Sequence, residues 1–169
     1  MSLFSNRSVP AHLRHSELGQ ALPNAELRQL NRIGTIVNIS DGGTIIAEST
    51  VGRECFIVVD GEFTVSGPNI TGEVGAGDIA GELALLTGKR RNASVVASAD
   101  AAVYALHPRE FVTLLSEAPQ FRAKVLETAT GRLGGETVTL PAQFVRQNEP
   151  EPDAWSGRLA TLPAWGTPS

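Results

Sequence analysis

The amino-acid sequence predicts a mainly β domain with helices on both flanks. Short β-branched runs follow one another from Thr35 to Leu106, at the spacing of an antiparallel sandwich, barrel or jelly roll. Glycines punctuate those runs at Gly42, Gly43, Gly52, Gly61, Gly67, Gly72, Gly75 and Gly77. Before and after this stretch the apolar period is helical instead of alternating.

Residues 1–33 form the N-terminal helical segment. Leu13, Leu18 and Leu22 recur near helical spacing. Pro23-Asn24-Ala25-Glu26 reads as a helix start, with Leu27, Leu30 and Ile33 as the apolar face. Residues 34–107 carry the strands: TIVNI, TIIAE, CFIVV, FTVS, ASVVAS and AAVYAL. Asp60-Gly61 between CFIVV and FTVS is a two-residue hairpin signal, because glycine tolerates positive φ. Asp41-Gly42-Gly43 marks a second tight turn. Residues 108–135 return to helix. Pro108 suits a first turn, and Phe111, Leu114 and Leu115 form a stripe expected to pack on the barrel. A second helix begins at Pro119 and carries Phe121, Val125, Ala129 and Leu133, with Gly134-Gly135 as its stop. Residues 136–169 hold five prolines, several acids and both tryptophans, a composition that predicts a disordered tail.

Composition narrows the function classes. A hydrophobic fraction of 41% and a charged fraction of 19% suit a folded soluble domain. No apolar run approaches the ~20 residues of a membrane helix. The opening stretch lacks an apolar signal region, and Cys55 is the only cysteine, so the expected compartment is the cytoplasm. Cys55 lies in an apolar run and reads as a packed thiol. The net charge of −4 disfavours a general nucleic-acid binder. His12, His15 and His107 are scattered, with no metal-ligand spacing. No catalytic set is evident, so a non-enzyme is expected, with no metal and no cofactor.

The chemistry concentrates in GELALLTGKRRNAS, Gly81 to Ser94. Gly81 lets the backbone turn without a Cβ in a ligand's way. The first amides of the helix that follows, near Leu83 and Ala84, lack intrahelical partners and favour an anion. Arg91 offers a planar two-pronged donor for phosphate oxygens. Glu82 is acceptor-only when ionised and suits a sugar hydroxyl. This describes a nucleotide pocket; the same residues would also suit an ordinary helix start followed by a solvated loop. Lys89 and Arg90 are expected to face water.

This segment resembles the phosphate-binding cassette of the cyclic nucleotide-binding domain family, to which protein kinase A regulatory subunits, catabolite activator proteins and cyclic nucleotide-gated channels belong. That cassette reads roughly Phe-Gly-Glu-Leu-Ala-Leu and then Pro-Arg-Ala-Ala-Thr/Ser-Val. This chain has Ala80-Gly81-Glu82-Leu83-Ala84-Leu85 and Arg90-Arg91-Asn92-Ala93-Ser94-Val95, within a cassette at 77–95. The likeness extends over roughly residues 20–133. It implies an antiparallel jelly-roll β-barrel (a double-stranded β-helix) with N-terminal helices and two C-terminal hinge helices. It implies that Glu82 takes the ribose 2′-hydroxyl and Arg91 the exocyclic phosphate oxygens, with Gly81, Leu83, Ala84 and Ser94 completing the cradle. Ala80 replaces an aromatic residue and Arg90 a proline. Asn92 replaces alanine and brings an amide within reach of the base. Ser49 stands where many members have glycine.

The expected function is a non-catalytic cyclic nucleotide sensor in signal transduction, with cAMP as the ligand ahead of cGMP. The alternative is a scaffold on the same fold that has lost its ligand. Proline-rich composition after residue 135 disfavours a recognition helix, so no direct DNA binding is expected. Two protein contacts are considered: a partner on the 136–169 tail, and a homodimer along the 119–133 helix. For Phe121, Val125 and Leu126, a lid over the base and packing on the barrel are the other uses open.

Overall fold

The computed structural model describes residues 8–133. Three short helices come first: α1 (Ala11–Arg14), α2 (Glu17–Ala21) and α3 (Asn24–Ile33). The leucine periodicity that predicts helix here is divided at Ser16. Its hydroxyl accepts from the Gly19 amide at 3.1 Å and restarts the helix as α2. Leu13, Leu18, Leu27 and Leu30 nonetheless reach one core.

Eight strands follow: β1 (Thr35–Ile39), β2 (Thr44–Ile46), β3 (Cys55–Asp60), β4 (Phe63–Ser66), β5 (Thr71–Val74), β6 (Ile79–Ala80), β7 (Ser94–Ala97) and β8 (Ala101–Leu106). They form two antiparallel sheets, ordered β1-β8-β3-β6 and β2-β7-β4-β5. This is the jelly roll with flanking helices. A short helix, α4 (Glu82–Thr87), lies between β6 and β7. Helices α5 (Pro108–Glu117) and α6 (Pro119–Arg132) close the described chain.

The Asp60-Gly61 hairpin expectation needs correction. Gly61 takes φ 85°, as a glycine turn requires, but β3 and β4 do not pair. The turn carries the chain from one sheet to the other, against the β7–β8 connection. A Cβ on Gly61 would lie 2.6 Å from that of Ala101. Asp41-Gly42-Gly43 likewise joins β1 of one sheet to β2 of the other.

β3 explains how two cores coexist. Phe56 and Val58 point between the sheets with Phe63, Val95 and Val103. Cys55, Ile57 and Val59 point the other way, onto the helices. A strand covered on both faces reads as a continuous apolar run, which CFIVV is. The helix-side core takes in Phe111, Leu114 and Leu115, as expected, and also Phe121, Val125 and Ala129. Those last three are fully buried, and the partly buried Leu126 packs against the same core. No helix among the described residues is long and apolar enough to cross a membrane. The tail at 136–169, Trp155, Trp165 and the Gly134-Gly135 stop lie outside the described residues.

Candidate functional site

Gly81 ends β6 at φ 90° and opens α4. Of the residues singled out in the sequence, Gly81, Glu82, Arg91 and Asn92 converge there on one cavity of about 290 Å³. Leu83 and Ala84 also line it, and no hydrogen bond engages their amides among the described residues. Val65, Ile70 and Val74 give the opposite wall an apolar surface. Lys89 and Arg90 stand exposed at the rim, and Arg90 Nη1 donates to the Ser49 carbonyl at 3.0 Å.

Arg91 is held rather than free. Its Nη1 donates to the Gly81 carbonyl at 3.0 Å and its Nη2 to the Glu54 carbonyl at 2.6 Å. Only 8% of the residue is exposed. Burial lowers its pKa, opposed by Cys55, Glu54 and Glu82. The backbone of the same residue is stapled to a neighbouring loop: Ser49 N donates to Arg91 O, and Arg91 N to Thr50 O, both at 2.8 Å. Ser49 takes φ 70°, so the left-handed turn forms with serine where glycine would cost nothing. In the sequence Gly52 stands only as a separator between strand-like runs. A Cβ there would meet the Arg91 guanidinium carbon at 2.9 Å, so its bareness is what lets the guanidinium lie against that loop.

Glu82 has no exposed surface. Its Oε1 accepts from Arg132 Nη1 at 2.6 Å, while Oε2 is buried with no hydrogen-bond partner among the described residues. Burial raises its pKa, opposed first by Arg132 and, more weakly, by Arg91. Burial also pushes the Cys55 thiol up, which agrees with a packed and unreactive cysteine. Arg132 is a cavity residue that sequence reasoning missed. It lies 50 positions from Glu82 at the end of α6, and no local pattern links the two.

The structure sets Ser94 apart from the cavity residues. Its hydroxyl accepts from the Glu48 amide at 2.9 Å, and it does not line the cavity. Strand alternation is the reason, since β7 turns Val95 inward and Ser94 outward. No cluster of His, Cys, Asp or Glu among the described residues has metal-binding geometry.

Arg132 makes a pH prediction that requires no ligand. Glu82 has a raised pKa in the folded state, so the fold keeps its proton to higher pH than the unfolded chain does. Its contribution to stability is therefore present at low pH and lost as pH rises from the ordinary carboxylate range through the raised value. Arg132→Ala removes the largest opposing charge and raises that pKa further. We expect the melting temperature of this variant to fall more steeply than wild type as pH increases past 5. Superimposable profiles would show that Arg132 does not compensate Glu82.

A family model described as the cyclic nucleotide-binding domain matches residues 36–118. The chain is 33% identical over 118 residues to a cyclic nucleotide-gated potassium channel of Rhizobium etli, covering 70% of this chain and 33% of the channel. It therefore spans about a third of the length of the curated relatives it matches. Among solved structures it is similar to PKAR CBD2 bound to Sp-2Cl-cAMPS, with a TM-score of 0.57 and 26% identity over 76% of this chain and 90% of that one. It is also similar to the regulatory subunit of a cAMP-independent protein kinase A from Trypanosoma brucei, with a TM-score of 0.60 and 25% identity over 74% of this chain and 47% of that one.

Proposed function

We propose, from the premise that the chain belongs to the cyclic nucleotide-binding domain family, that it is a cyclic nucleotide sensor with cAMP as its ligand and cGMP as the competing candidate. One observation carries the reading. A buried guanidinium and a buried carboxylate with an unpartnered oxygen line the same cavity. A buried polar atom without a partner is costly, and a ligand donor would relieve that cost. A cyclic nucleotide brings a phosphate for Arg91 and a ribose hydroxyl for Glu82 Oε2. Arg132 holds Oε1 and opposes the rise in pKa that burial imposes, leaving Oε2 for the sugar hydroxyl.

The cradle begins at Gly81, and the amides of Leu83 and Ala84 reinforce the phosphate contact. The apolar wall of Val65, Ile70 and Val74 receives the base by packing. Asn92 is the polar group at its edge and the residue to vary in a test of adenine against guanine. The proposed activity is binding and regulation, with no chemistry on the ligand. A bound nucleotide regulates only by favouring one arrangement of α5 and α6 over another. The proposed output is a protein partner and not DNA.

The ribose contact has its own test. Glu82→Ala weakens cAMP binding by about 1.5–3 kcal/mol, the range for a hydrogen bond to a charged group. The same substitution leaves the affinity for 2′-deoxy-cAMP within about twofold of wild type. Calorimetry giving equal losses for both ligands would remove Glu82 from the ribose. A specific ligand at one hundred times its dissociation constant also stabilises the fold by about 2.7 kcal/mol. Absence of any thermal shift with either cyclic nucleotide would favour the scaffold alternative.

A further inference from the structure

α6 starts without a cap of its own. Pro119 has no amide hydrogen and Ala118, at the cap position, has no side-chain acceptor. The next two amides are satisfied from far away in sequence. Glu26 on α3 accepts from Gln120 N at 3.2 Å through Oε2 and from Phe121 N at 2.8 Å through Oε1. Glu26 is 9% exposed and Phe121 is fully buried, so this is an interior contact. A carboxylate there also complements the positive end of the helix.

Fourteen residues of helix separate that cap from the other end of α6, a span of about 21 Å at 1.5 Å per residue. At that far end Arg132 reaches Glu82. One helix thus runs between two buried carboxylates, one on the N-terminal helices and one in the cavity. Two further contacts tie the N-terminal helices to the C-terminal pair. Lys124 donates to Glu17 of α2 at 2.8 Å, and Gln29 of α3 donates to Glu117 of α5 at 2.8 Å. The face of α6 turned inward, Phe121, Val125 and Ala129, fixes its rotation once the first turn is set.

We propose that Glu26 is a positioning residue for the pocket: by fixing the first turn of α6 against α3, it sets where the last turn delivers Arg132 and hence how Glu82 is presented to a ligand. The ligand in that statement rests on the function proposed above. Coupling of this kind is reciprocal, so ligand binding tightens the α3–α6 junction, and whatever displaces α3 weakens ligand binding.

The test uses the full chain as wild type, Glu26→Gln, Glu26→Ala, Arg132→Ala and the Glu26→Ala/Arg132→Ala double variant. The first readout needs no ligand. The carboxyl ¹³C titration of Glu82, followed by nuclear magnetic resonance, moves to higher pH in Arg132→Ala. Glu26→Ala moves it the same way by at least half as much, with Glu26→Gln between. The groups facing Glu82 that this titration reads are Arg132 from α6, Arg91 from the cassette and Cys55 from β3. An unchanged Glu82 titration in Glu26→Ala overturns the proposal, whatever the ligand does. The second readout is the calorimetric affinity for cAMP. Glu26→Ala weakens it by about tenfold in the wild-type background and by less than about twofold in the Arg132→Ala background. An undiminished effect in the second background overturns the route through Arg132. Failure of wild type to bind either cyclic nucleotide contradicts the function proposed above and leaves the Glu82 titration to decide on Glu26.

Discussion

Arg91→Ala is expected to lower cyclic nucleotide affinity by about 2–5 kcal/mol, the cost of truncating one partner of a buried, hydrogen-bonded charge pair. That is a loss of about thirtyfold to several thousandfold. The size follows from how the side chain is prepared. Arginine carries five N–H donors. The carbonyls of Gly81 and Glu54 fix the guanidinium before any ligand arrives. The entropy of ordering a long side chain is therefore met on folding and not on binding. Arg91→Lys keeps the charge but not the planar fork, and recovers only part of the loss. Circular dichroism would establish that each variant folds, and calorimetry would give the affinities. An Arg91→Ala affinity within twofold of wild type would show that this guanidinium does not hold the phosphate.

Gly81→Ala is expected to damage both fold and pocket. The residue sits at φ 90°, where a side chain costs about 1–2 kcal/mol. The added Cβ would lie 2.6 Å from Arg91 Nη1 and 3.0 Å from the Glu54 carbonyl. One of those neighbours is a buried guanidinium and the other is backbone, so neither yields cheaply. Overpacking of this kind adds about 1–3 kcal/mol. The melting temperature should fall by several degrees, and cyclic nucleotide binding should be lost with the displaced guanidinium. Gly72→Ala is the control for stability, since nothing lies within 4 Å of a Cβ there. Equal melting temperatures for the two variants would show that the Gly81 turn tolerates a side chain.

Much of the roll was legible because β-branched runs and glycine breaks are local signals. FTVS and AAVYAL coincide with β4 and β8. β5 was not legible. Thr71–Val74 is a mostly exposed edge strand with a glycine and one buried residue, so it carries no alternating pattern. The Asp60-Gly61 turn was legible and its partner strands were not, because a turn fixes local backbone but not which sheet the chain enters. In the site, Gly81, Glu82, Arg91 and Asn92 line one cavity, and they were legible together because one cassette holds them all. Ser94 lies outside the cavity because the cassette continues into a strand, where alternate side chains face opposite ways. Arg132 and Glu26 act across 50 and 95 positions, and Gly52 acts by lacking a side chain. None of these three announces itself in a linear reading.

The most direct measurement is a calorimetric titration of cAMP, and then cGMP, into the intact chain. Saturable binding of one nucleotide per chain, with cAMP the tighter, is the predicted result. No saturable heat with either nucleotide would contradict a shared ligand for Glu82 and Arg91.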